Sequence, residues 1–113
     1  MAPTGEEKGD VPYRVIVGLY DQRFGATLPL IEMMATPDRL DFHARFGLAR
    51  FLGPWRLERA QIKTIYKTRL FMQPCIAVEG GHRLDWRIGT FQPEAMLLTL
   101  EEMGYPVDWL RTF

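Results

Sequence analysis

The residues able to do chemistry are few in this 113-residue chain, and they are scattered. His43 and His82 fall in separate segments, and neither has a second histidine or a cysteine at metal-ligand spacing. Each reads as an exposed strand or turn residue rather than a ligand or general base. Cys75 is the only cysteine, which leaves no internal disulfide framework and no thiolate cluster. Its run, Cys75, Ile76, Ala77, Val78, makes it a small core residue rather than a reactive thiol. Carboxylates pair only at Glu6 with Glu7 and at Glu101 with Glu102. The second pair lies in a helical pattern, where adjacent side chains point about 100° apart and suit solvation better than a shared proton. No G-x-S-x-G, P-loop or dinucleotide fingerprint occurs, and the expectation is a protein without catalysis, cofactor or metal.

Charge patterning is more informative. The net charge is zero, yet residues 39–69 carry +6 while each flank carries −3. Strand parity sends Arg39, His43 and Arg45 to the outer face of one strand, Arg50 and Arg56 to the polar side of the next, and Lys63 and Lys67 to that of the one after. If those strands are neighbours, the cations stack into one patch. Such stacking costs a few tenths of a kcal/mol per exposed like-charged pair, so the patch reads either as a docking face or as a solvated face balanced by the acidic flanks. Arg69 and Phe71 extend it, because KTRLFM is a basic segment that ends in large apolar groups and can anchor in a partner pocket or a membrane interface. The candidate binding residues are therefore Arg45, Arg50, Arg56, Lys63, Lys67, Arg69 and Phe71.

These residues need a scaffold, and the hydrophobic spacing supplies one. Residues 1–11 are charged and punctuated by Gly and Pro and read as a frayed tail, leaving 12–113 as a single domain. Tyr13–Tyr20 is β-branched and aromatic and reads as a strand, followed by a loop over 21–27 and a nearly continuous apolar strand over 28–35. Residues 39–46 alternate, with Leu40, Phe42, Ala44 and Phe46 inward. Residues 48–57 resume the alternation with Ala49, Phe51, Trp55 and Leu57, bent at Gly53 and Pro54. A strand over 62–68 places Ile62 and Tyr66 opposite the lysines. A buried strand over 73–79, a tight turn at Gly80 and Gly81, and a return strand over 82–91 complete seven. Then the period changes. Pro93 suits a first helical position, Met96, Leu97, Leu100 and Met103 form one stripe, and Gly104 with Pro106 ends a helix of about 93–104. Trp109 to Phe113 is expected to fold back on the body or to meet a neighbouring subunit. Short polar turns without intervening helices require antiparallel pairing, so the fold class is mainly β: a seven-stranded bent sheet or barrel capped by one C-terminal helix.

Two stretches resemble the small bacterial PH-like domains of the pleckstrin-homology superfold. One is FGLARFLGPWRLERAQIKTIY, from Phe46 to Tyr66, and the other is GTFQPEAMLLTLEEMGYPV, from Gly89 to Val107. The resemblance implies binding of lipid headgroups, peptides or sister subunits, with catalysis unusual. The basic pattern that headgroup-binding members carry across the first two strands is reduced here to Arg14 and Arg23 among acidic residues. The leading expectation is a non-enzymatic module that contacts a protein partner or another copy of itself through a basic face or an edge strand. Alternatives are an anionic membrane surface and a small ligand or substrate in the barrel interior, and nucleic acid is the weakest partner. No apolar run approaches the roughly 20 residues needed to cross a bilayer and the N-terminus has no signal-peptide pattern, so a cytoplasmic location, with membrane association as a variant, is expected.

Overall fold

The computed structural model describes residues 12–21, 24–70, 72–81 and 83–111. The expected N-terminal tail, His82, Arg23, Phe71 and Phe113 lie outside the described residues. Seven antiparallel strands form one sheet: β1 (Tyr13–Tyr20), β2 (Gly25–Ala35), β3 (Arg39–Ala44), β4 (Trp55–Glu58), β5 (Ile62–Leu70), β6 (Gln73–Gly80) and β7 (Asp85–Gly89), followed by helix α1 (Pro93–Glu102). Their order across the sheet is β4-β3-β2-β1-β7-β6-β5. The sheet is bent over on itself. In a flat sheet β3 and β7 would stand three strand spacings apart, about 14 Å, yet the rings of Phe42 and Trp86 are 5.7 Å apart edge to face. Val17, Ile31, Phe42, Leu57, Ile65, Ile76 and Ile88, one from each strand, thereby share one core with Met96, Leu97 and Leu100 of the helix.

The bend has a local cause at Gly18. The β1–β2 register shifts between Val17 and Leu19, and a Cβ at Gly18 would meet Ala26 O and Leu28 N at 2.9 Å. Only glycine allows that approach. The same hairpin corrects the expected loop over 21–27: Gly25 and Ala26 pair with Tyr20 and Leu19, so β2 begins earlier.

Three further expectations change. Residues 48–54 do not continue a strand. Phe46 (φ 59°), Gly47 (φ 79°) and Gly53 (φ 68°) adopt left-handed conformations that extended chain cannot pass through, and Leu48–Arg50 forms a 3-10 turn between them. Phe46 and Phe51, assigned inward by alternation, are consequently 69% and 81% exposed. In β5 the pairing shifts between Ile62 and Thr64, so the bulge puts Ile62 and Ile65 in the core and turns Tyr66 to the opposite face, where its hydroxyl donates to Glu79 at 2.6 Å. The β6–β7 connection runs over 81–84 rather than the two glycines alone, closed by Gly80 N–H on Leu84 O and Leu84 N–H on Gly81 O, and β7 is correspondingly shorter than 82–91.

The helix lies over β5 and β6 and ends cleanly at Glu102. Gly104 (φ 100°) turns the chain, its N–H bonding Glu101 O and that of Tyr105 bonding Leu100 O. Tyr105 is buried and its hydroxyl donates to Thr36 O at 2.7 Å, which ties the helix exit to the β2–β3 turn. Beyond it residues 106–108 lie along β5, and of the tail Arg111 reaches back to the body while Leu110 is exposed. Ile65 N–H bonds Pro106 O and Asp108 N–H bonds Ile65 O, covering part of the outer edge of β5, while the Arg111 guanidinium sits 4.1 Å over the Tyr66 ring.

Candidate docking surface

The strand order splits the expected basic patch. Strands β4 and β5 are the two opposite edges of the sheet, joined by the 3-10 turn Arg59–Gln61, so the cations of β4 and those of β5 do not stand on hydrogen-bonded neighbours. Arg45, Arg50 and Arg56 belong to the β3–β4 side. Lys63, Lys67 and Arg69 belong to β5.

On the β3–β4 side the register places Asp41 opposite Arg56. Alternation assigned Asp41 to solvent, yet it is buried, because its carboxylate accepts from Arg39 Nε at 3.0 Å and from Arg56 Nε at 2.8 Å and both side chains close over it. Burial pushes its pKa up, and the two guanidinium bonds outweigh that and hold it below the ordinary carboxylate range. A cleft of about 350 Å³ opens here, lined by Met34, Arg39, Asp41, His43, Trp55 and Arg56, among others. It holds an exposed imidazole, but the only carboxylate in its wall is already committed to two arginines. No three His, Cys, Asp or Glu side chains converge to hold a metal among the described residues.

This pairing yields an expected pH dependence. A carboxyl whose folded value lies below its unfolded value of about 4 stabilises the fold above that pH, and the contribution is lost as pH falls through the folded value. Urea titrations at pH 7 and pH 3 should show wild-type stability falling on acidification, with Asp41→Asn costing about 1 to 2 kcal/mol at pH 7 and showing a shallower fall. The arginines are half exposed, so solvent screening keeps the figure at that level. An Asp41→Asn variant as stable as wild type at pH 7 would exclude the arrangement.

The segment that follows is the most unusual surface in the molecule. Between Asp41 and Glu58 there is no carboxylate, while Arg45, Arg50 and Arg56 supply three cations and Phe46 and Phe51 stand in solvent. The Arg45 guanidinium lies 4.5 Å over the Phe46 ring and also donates to Pro29 O at 2.8 Å, which fixes Phe46 at the base of the loop. Trp55 is anchored at its far end against Phe24, with ring centroids 5.0 Å apart. The loop thus displays aromatic and cationic groups between two packed ends. Alternation could not find Phe46 and Phe51, since they fall on inward parity; the turn-forming pairs Phe46-Gly47 and Gly53-Pro54 were the available signal.

On β5, Lys67 is an ion-pair partner of Glu94, 2.8 Å away in the first turn of α1, which holds that carboxyl below its usual range. Lys67, Arg69, Pro74 and Phe91 line an open cleft of about 510 Å³ together with Pro93 and Glu94. Lys63 is exposed at the bulge. Cys75 is buried, and that burial raises its thiol above the ordinary value, in keeping with a core role. Among the described residues no helix is long and apolar enough to cross a membrane. No protein-family model and no curated protein matches this chain.

Proposed function

We propose that the chain is a PH-like, non-enzymatic binding module that docks a protein partner through the β3–β4 segment. One observation carries the reading: two phenylalanines held in solvent, at 69% and 81% exposure, within a stretch of three arginines and no carboxylate. Covering each ring on binding is worth about 2 kcal/mol, and the cations steer the segment toward an acidic surface. The strand order closed by a C-terminal helix supports the PH-like assignment. The residues that dock are then Arg45, Phe46, Arg50 and Phe51, with Arg56 set beside them by Asp41.

A photo-crosslinking side chain at position 51, compared in the native cell with one at position 63 on the opposite edge of the sheet, tests the reading. Position 51 should give protein adducts that disappear when Arg50→Glu is added, and position 63 should give none. Silence at 51, or equal adducts at both, would remove it. Adducts to lipid instead of protein would transfer the same loop to an anionic membrane, where basic and aromatic side chains also insert together.

A further inference from the structure

The β3–β4 segment has a chemical complement on the same molecule. From Ile88 to Leu110 the chain contains no Lys, Arg or His, and it contributes Glu94, Glu101, Glu102 and Asp108. Glu94 is neutralised by Lys67, but Glu101, Glu102 and Asp108 surround exposed apolar groups: Leu98 at 52%, Leu110 at 96%, and Trp109, whose indole N–H donates to Glu101 at 3.2 Å and lays the ring beside the helix. Leu98, Glu101 and Glu102 share one helix face by their spacing of three and four. Two acidic residues in the last turn of α1 also oppose the helix dipole, which favours cations there at about 0.3 to 1 kcal/mol each. Two cations stand nearby: Arg59, whose Nη1 lies 2.7 Å from where a Cβ on Gly104 would stand, at the helix exit rather than along its face, and Arg111, next to Leu110, which pairs with Glu79 and lies over the Tyr66 ring.

Among the described residues no ion pair joins Arg45 or Arg50 to Glu101, Glu102 or Asp108 within one chain. The helix exit is fastened through Tyr105 to Thr36, at the β2–β3 turn, whereas the β3–β4 segment hangs from the opposite end of β3. Six extended residues separate those ends by about 17 Å. We infer that the occupant of the β3–β4 segment is a second copy of this chain, the arginines and phenylalanines of one molecule seating on the Leu98, Glu101, Glu102 and Leu110 surface of the next. The inference rests on the docking role proposed above and names its partner. Each ring of Phe46 and Phe51 then exchanges water for Leu98, Trp109 and Leu110, and each Arg45 and Arg50 meets a carboxylate. The contact uses different patches on the two partners, so it is head-to-tail and the pair keeps one free patch of each kind, the acidic one on one copy and the basic one on the other.

Complementary variants test this, each keeping one of the two patches intact. One carries Arg50→Glu with Phe51→Ser, the other Leu98→Ser with Glu102→Arg. Sedimentation velocity of the wild-type chain should show mass rising with concentration to twice 13.1 kDa and beyond, and falling back at high salt. Each variant alone should stay at the single-chain mass, and an equimolar mixture should give a species of twice that mass and nothing larger, since one intact patch of each kind remains. A wild-type chain that stays single at all concentrations, a variant that still dimerises alone, or a mixture that does not combine would each overturn the inference. Persistence of position-51 protein adducts in the cell alongside a single-chain wild type would sink the self-association alone and leave the docking role standing.

Discussion

Gly80→Ala should destabilise the fold by about 3 kcal/mol, and Gly81→Ala should leave it within about half a kcal/mol of wild type. The two glycines are adjacent in sequence and differ only in what surrounds them. A Cβ at Gly80 would stand 2.0 Å from the carbonyl oxygen of Gln61, 3.1 Å from its carbonyl carbon and 2.9 Å from Leu84 Cδ2, whereas one at Gly81 would meet nothing within 4 Å. The clash at Gly80 is with backbone, and that backbone is pinned. Gln61 closes the 3-10 turn in which Glu58 and Gln61 exchange side-chain and backbone bonds, one of them Glu58 N–H to Gln61 Oε1 at 2.8 Å. Gly80 itself pairs with Ile62 across the β5 bulge and bonds Leu84 through its N–H. Relief therefore means parting β5 from β6 at the place where the chain crosses from one edge of the sheet to the other. Set against a typical total of 5 to 15 kcal/mol, the loss should appear as a large drop in the urea midpoint. Equal midpoints for the two variants would show that the turn at Gln61 moves freely.

That crossing also explains what the sequence did and did not disclose. Strands β1 and β3 and the helix stripe are legible because each buries residues at a constant period, Leu40, Phe42 and Ala44 in β3 and Met96, Leu97 and Leu100 in α1, and β6 because Cys75 to Val78 is a continuous buried apolar run. Period alone does not register bulges. The extra residue at Lys63 reverses the parity of β5, which is why Tyr66 is buried on the opposite face, under Arg111, and Lys67 comes round to the helix. Nor does period distinguish an extended run from a looped one when the run contains residues tolerant of positive φ. Residues 46–53 alternate like a strand, but the left-handed turns at Phe46, Gly47 and Gly53 make them a loop. The candidate site suffered most. Its seven members form one patch only if consecutive strands are neighbours, which holds from β1 to β4 and again from β5 to β7 but fails between β4 and β5. The cationic half of the docking surface was visible as charge; its aromatic half was hidden by parity, and the acid that organises Arg39 and Arg56 needed the register of β3 against β4 to be seen.

Leu100→Ala is expected to cost about 3 to 4 kcal/mol, with Leu98→Ala costing less than about half a kcal/mol in the same denaturation experiment. Leu100 is fully buried in the cluster that joins all seven strands, and its carbonyl accepts the N–H groups of both Met103 and Tyr105. Truncating it opens a void beneath the last helical turn, where Tyr105, Thr36 and the Gly104 turn hold the surrounding backbone too firmly to collapse into it. Leu98, one turn face away, is half exposed and has little burial to lose. The comparison separates two jobs that share one helix. The stripe of Met96, Leu97 and Leu100 holds the bent sheet closed, while Leu98 with Glu101 and Glu102 is free to meet another molecule. A measurement in which Leu98→Ala lowered the urea midpoint as far as Leu100→Ala would assign both faces to the core and leave no helical surface for docking. A measurement in which Leu98→Ala kept full stability and reduced the concentration-dependent mass would assign the exposed face to association.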